Sequence, residues 1–112
     1  MKTIEIIEKL DLTLLSENVS QTAEVSGGYV SDLLSDVMGN AREGQIWITL
    51  QTHQNIIAVA SLKDLAAIII VKGLVPEKDT IAKSNLEHIP VLSTNLDTFT
   101  ITGRLFELLK KE

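Results

Sequence analysis

Two spacings of apolar residues alternate along this chain, and the switches between them mark out its elements. Thr3–Leu10 places Ile4, Ile7 and Leu10 at helical intervals, so a short helix is expected with those side chains on one face. Asp11 breaks it, Leu12–Leu15 reads as a brief strand, and residues 16–22 form a polar loop. Ala23–Tyr29 reads as a strand interrupted at Gly27-Gly28, where a bulge or turn is expected. Ser31 is a suitable N-cap for a helix turning Leu33, Leu34, Val37 and Met38 inward. Gly39-Asn40 then supplies the residues of a left-handed C-cap.

From Ile46 onward the pattern sharpens. Ile46–Leu50 is a strand, and Thr52 stands where a cap is needed for a helix over His53–Leu62, with Ile56, Ile57 and Ala60 facing the sheet. Ala66–Val71 is unbroken and apolar, the composition of a strand covered on both sides. Lys72-Gly73 turns the chain, and Pro76 suits the first turn of a helix reaching about Glu87. Pro90–Ser93 is the next strand. Asp97 or Thr98 caps a last helix bearing Phe99, Leu105, Phe106 and Leu109, which ends on Lys110 and Lys111, favourable at that pole of the helix dipole. Right-handed crossovers make such strands parallel. The expected fold is a single α/β domain over 1–112: a mainly parallel sheet flanked by helices, with three consecutive C-terminal β-loop-α units.

Composition narrows the function more than the fold. A chain of 112 residues holds one core, and 45% apolar content excludes a disordered chain. Mean hydropathy of +0.21 fits either apolar surface shared with a second copy or a well-filled parallel core. Net charge is -5, and no Lys/Arg cluster exists beyond Lys110-Lys111, which argues against nucleic acid. The absence of cysteine removes disulfides, thiol nucleophiles and thiolate metal ligands, and fits a cytoplasmic location. MKTIEIIEKL is unlike a signal peptide, and the longest apolar run, Leu65–Val71, is too short to span a membrane. Asn18-Val19-Ser20 has the form of a glycosylation acceptor and is read as chance.

In an open α/β sheet, ligands sit beyond the carboxyl ends of the strands. The candidate ligand-binding residues there are Thr49, Thr52, His53, Lys72, Gly73, Ser93, Thr94 and Thr98. Their hydroxyls, one ammonium, one imidazole and free backbone N–H groups suit a carboxylate or phosphate. The plainer alternative is that the Ser and Thr residues cap helices while Lys72 is solvated. Ser26-Gly27-Gly28 lacks a phosphate-loop pattern and reads as a tight turn. His53 and His88 have no helical i, i+4 partner, so no metal is expected. Asp32, Asp36 and Glu43 read as a solvated face, and Trp47 as core on the sheet face opposite Ile46 and Ile48. Gly103 sits inside the last helix, either for intrachain packing or for a dimer contact.

Several segments together resemble the DRTGG domain family. They are Ile48-Thr49-Leu50-Gln51-Thr52-His53, Ile56-Ile57, Ile69-Ile70-Val71-Lys72-Gly73-Leu74-Val75-Pro76, and the block Ile89-Pro90-Val91-Leu92-Ser93-Thr94 with Asp97-Thr98-Phe99. Thr52 and His53 occupy the family's Asp-Arg pair; Val71, Lys72 and Gly73 occupy its Thr-Gly-Gly, so of the naming motif only Gly73 is kept. The family is similar to the N-terminal domain of HPr kinase/phosphorylase and accompanies CBS domains in regulated pyrophosphatases. The resemblance implies a non-catalytic, homodimeric module without a cofactor, regulating or scaffolding a metabolic or redox enzyme. The alternative it leaves open is a sensor binding an adenine nucleotide or other anionic metabolite at the strand ends.

Overall fold

The chain forms α1 (Thr3–Lys9), β1 (Thr13–Leu14), β2 (Gly27–Val30), α2 (Leu34–Asn40), β3 (Gln45–Thr49), α3 (Asn55–Leu62), β4 (Ala67–Ile70), α4 (Lys78–Glu87), β5 (Val91–Ser93) and α5 (Thr98–Lys110). This is a computed structural model describing residues 1–112. The strands make one five-stranded sheet in the order β1-β5-β4-β3-β2. β2, β3, β4 and β5 are parallel neighbours in sequence order, and only β1 runs antiparallel, against β5. The three C-terminal units are present as expected, and β2-α2 adds another at the front.

That order decides where the helices go. Each step from β2 to β5 moves one strand in the same direction, so right-handed crossovers put every intervening helix on one face. The side chains agree. Val37 of α2 and Ile56, Ile57, Val59 and Ala60 of α3 share a buried cluster with Trp47, Ile68 and Ile70, and Ile81 of α4 packs against it. The opposite face is covered only by α1 and α5, through Ile6, Leu10, Ile101 and Leu105 on Ile46, Ile48, Ile69 and Leu92. Strand alternation separates the two sets, so Trp47 lies on the face predicted for it. Its ring is fully buried and its indole N–H donates to the Ser31 carbonyl at 2.8 Å. In β4, Ile68, Ile69 and Ile70 are all fully buried, each stabilising the fold by roughly 1.5–3 kcal/mol.

Several local expectations are corrected. Ile6, rather than Ile4, is the buried centre of α1. Gly27 and Gly28 lie inside β2, which forms without a bulge, and both lack positive φ. Ser31 does not cap α2 directly: Leu33 is the cap residue, and its N–H donates to the Ser31 hydroxyl at 3.2 Å. Leu33 and Met38 are exposed, and the helix ends at an extended Ala41 instead of a left-handed glycine. Thr52 does not cap α3, whose cap is Gln54. Pro76 precedes the α4 cap, Glu77. Phe99 and Phe106 of α5 point out, 89% and 63% exposed, because the helix turns Ile101 and Leu105 inward.

A polar tie at the opposite end of the sheet was not visible as a pattern. The buried Ser16 hydroxyl accepts from Val91 N–H at 2.8 Å and lies 2.9 Å from the Ser84 hydroxyl. It joins the chain after β1 to β5 and α4, satisfying a buried donor that would otherwise lack a partner.

Candidate functional site

The carboxyl ends of β2 to β5 meet along one rim. Thr49, Ile70 and Ser93 stand in register across three strands, with Val30 opposite Ile48 on the fourth. Adjacent strands lie about 4.8 Å apart, so Thr49 and Ser93 are separated by roughly 10 Å. The expected alignment of the strand ends along one rim is therefore present.

What the rim does with its polar groups differs from expectation. Asp32, read in sequence as surface charge, is the hub of the β2–β3 end. Its Oδ1 accepts from the Thr49 hydroxyl and from Leu50 N–H, both at 2.9 Å, while its carbonyl accepts from the Gln51 side chain at 2.8 Å. Thr49 is fully buried and also accepts from Gln51 N–H at 3.2 Å. A buried hydroxyl with both functions committed is a structural fastener.

The chain after β4 crosses to α4 on one face, whereas the chain after β5 crosses to α5 on the other. Such a divergence opens the crevice in which α/β folds hold ligands. Here the two loops close on each other. Lys72 N–H donates to Leu96 carbonyl and Gly73 N–H to Thr94 carbonyl, each at 2.9 Å. Leu96 N–H donates to the Thr94 hydroxyl at 3.2 Å. The N–H groups of Lys72, Gly73 and Leu96 are thus not free for an anion, which corrects the expectation that they would be.

Lys72 and Gly73 both have left-handed φ, 62° and 65°. That region suits glycine and penalises any residue with a Cβ. A Cβ on Gly73 would stand 2.7 Å from Asn95 Oδ1, so the position is constrained twice. The strained turn holds the exposed Lys72 at the rim beside Asp97. Asp97 caps α5, accepting from Thr100 N–H at 2.8 Å. That backbone bond, then the Thr100 hydroxyl, then Lys72 hold its carboxyl below the usual aspartate range. Thr98 is the first residue of α5, and its capping role passes to Asp97.

Thr52 and His53 lie on the α3 side. The Thr52 carbonyl accepts from the Thr80 hydroxyl at 2.7 Å and from Glu77 N–H at 3.2 Å, tying this loop to α4. His53 is exposed, and its Nδ1 accepts from Asn55 N–H at 3.1 Å. The N–H groups of Thr52, His53 and Gln54 have no partner within the chain. Of the candidate set, then, Thr49 and Thr94 are buried fasteners, and Lys72, Gly73 and His53 are accessible.

Away from the rim, Asp36 bonds the Tyr29 hydroxyl at 2.9 Å. The neighbouring Ser31 hydroxyl and this bond lower the Asp36 carboxyl, and the same bond raises the Tyr29 phenol. No helix is long and apolar enough to cross a membrane.

The DRTGG domain model matches residues 5–108. The chain belongs to the DRTGG domain family. Lys72 and Gly73 occupy the paired glycines of the signature that names the family, and both adopt glycine-like φ in this member. Among solved structures, the chain is similar to the CBS and DRTGG domains of the regulatory region of Clostridium perfringens pyrophosphatase, determined with its activator diadenosine tetraphosphate. Identity is 21%, the TM-score is 0.66, and the match covers 91% of this chain but 44% of that one. The DRTGG chain thus spans less than half of that neighbour, and the likeness establishes a common fold. No curated protein matches it.

Proposed function

We propose that this DRTGG domain is a non-catalytic regulatory module, a homodimer acting through contacts with a metabolic or redox enzyme. The observation that carries this reading is the closure of the rim. Where α/β folds leave backbone donors for a ligand, this chain spends those of Leu50, Lys72, Gly73 and Leu96 on its own Asp32, Thr94 and Leu96. Large apolar side chains are left uncovered elsewhere, with Phe99 89% and Leu33 63% exposed. Phe99 and Phe106 line one groove along α5, and a contiguous apolar patch supports contact with another protein.

A second reading rests on one accessible edge of the rim. Lys72 stands exposed there, and the Thr52, His53 and Gln54 N–H groups are unpaired. A phosphate of an adenine nucleotide suits such a set, and the pyrophosphatase neighbour was solved with a dinucleotide activator. Thermal unfolding with millimolar AMP, ATP or diadenosine tetraphosphate separates the two. The first reading predicts no shift in Tm. A saturable rise that disappears in Lys72→Ala would replace it with the sensor.

A further inference from the structure

The sheet ends at β2 on one side, and the outward hydrogen-bonding groups of that strand are unspent; β1, the other edge, is only two residues long. Val30 stands in register with Ile48, yet it is Ser31 whose N–H donates to the Ile48 carbonyl, at 3.3 Å. In a parallel ladder one member of each register pair bonds the residues flanking the other. Tyr29 and Ser31 therefore face β3, while the N–H and C=O of Gly28 and of Val30 point outward and have no partner in the chain. The edge before β2 is already taken: Val25 N–H donates to the Met1 carbonyl at 2.9 Å and Thr3 N–H to the Ala23 carbonyl at 3.0 Å. Gly27-Gly28-Tyr29-Val30 carries none of the devices that block edge pairing, neither charge nor proline nor bulge. Its glycines are not required by a positive φ, and glycine inside a strand weakens it unless something approaches closely. A Cβ on Gly28 would lie 3.2 Å from Leu105 Cδ2, so Gly28 faces α5. Gly28 and Val30 nevertheless stay exposed on that face, beside a cavity of ≈ 510 Å³ that opens between β2 and the α5 residues Leu105 and Phe106.

We propose that β2 pairs with β2 of a second copy, antiparallel about a two-fold axis at Tyr29, joining the two sheets into one. The inference rests on the homodimer of the preceding section and assigns its surface. The occupant follows from the edge itself. Main-chain donors and acceptors facing out at alternate residues are complemented by another strand. With the axis at Tyr29, Gly28 of each copy exchanges both bonds with Val30 of the other, so every outward group of the two strands is satisfied at once. Residues directly opposite share a face of the sheet. Each copy's Val30, 44% exposed, therefore covers the bare Gly28 of the other at the mouth of the cavity. The strand is its own complement in size as well as in bonding, as an isologous contact requires. On the opposite face the two Tyr29 residues form an aromatic cross-strand pair. An axis at Gly28 instead would set Val30 against Ser26, whose N–H is committed to the Gly44 carbonyl at 2.9 Å, and would leave bonds unmade.

Amide hydrogen exchange of the full chain, read residue by residue by NMR at high and low concentration, tests this without any substitution. Gly28 and Val30 are expected to be protected in the concentrated sample and to lose that protection on dilution, while Tyr29, facing β3, stays protected in both. Sedimentation equilibrium supplies the mass, expected at twice 12.3 kDa for wild type. In Val30→Lys dissociation should be roughly a hundredfold easier, because each pair would desolvate two ammonium groups. A dimeric wild type whose Gly28 and Val30 amides exchange freely, or whose Val30→Lys variant associates equally well, overturns this edge and leaves the homodimer standing. A monomeric wild type overturns both.

Discussion

The turn after β4 lends itself to a quantitative test, because two adjacent residues there share one backbone requirement and only one of them is glycine. Replacing Lys72 by Gly removes a Cβ from a left-handed φ of 62°, relieving about 1–2 kcal/mol. Glycine's greater freedom in the unfolded chain takes back about 0.4–1 kcal/mol. The exposed ammonium and its attraction to Asp97 add little in solvent. Lys72→Gly is therefore expected to stabilise the fold by about 0.5–1 kcal/mol, raising Tm by about 2–5 °C. Gly73→Ala reverses both terms at φ 65° and must displace the Asn95 side chain, which is exposed and able to swing away. It should cost about 1 kcal/mol net. Urea unfolding of the two variants beside wild type measures both numbers. Equal stability of all three would show that this turn is not left-handed at either residue and would refute the closed β4–β5 crevice.

Other tests follow from particular bonds. Asp32→Ala leaves the buried Thr49 hydroxyl and Leu50 N–H without their acceptor, a loss of about 2 kcal/mol in denaturant unfolding; Asp32→Asn, which keeps an acceptor oxygen, should lose less than half of that. Ser16→Ala strands the Val91 N–H and should cost about 1–3 kcal/mol, with faster hydrogen exchange at Val91. Asp36 and Asp97 have lowered folded-state pKa values. Their contribution is complete above the ordinary aspartate pKa and disappears as pH falls through the folded values. Stability measured across that acid range should drop in wild type, with a shallower drop in Asp97→Asn.

Much of the sheet was legible because its signals are local. An unbroken run of isoleucine needs cover on both sides, and β4 has it; alternation placed Trp47 opposite Ile46 and Ile48; Asp97 caps α5 because a short side chain before a helix has an N–H to accept. The rim was legible as a location, since parallel strands must end together. Its chemistry was not. Asp32 lies seventeen residues before Thr49, and only the pairing of β2 with β3 makes them neighbours. Thr52 has the residue type of a cap, yet its backbone is drawn to Thr80 of α4, and the helix starts later. In α5 the sequence reading groups Phe99 and Phe106 with Leu105 and Leu109, whereas the helix buries Ile101 and Leu105. Packing on the sheet decides which face turns inward.

The central claim is that this domain works by protein contact, first of all with itself. Its most direct measurement is the thermal midpoint as a function of protein concentration. If folding is coupled to pairing, raising the chain from about 2 to about 200 µM adds about 2.7 kcal/mol per dimer, and Tm should climb by several degrees. A midpoint that stays fixed across that range would contradict the account.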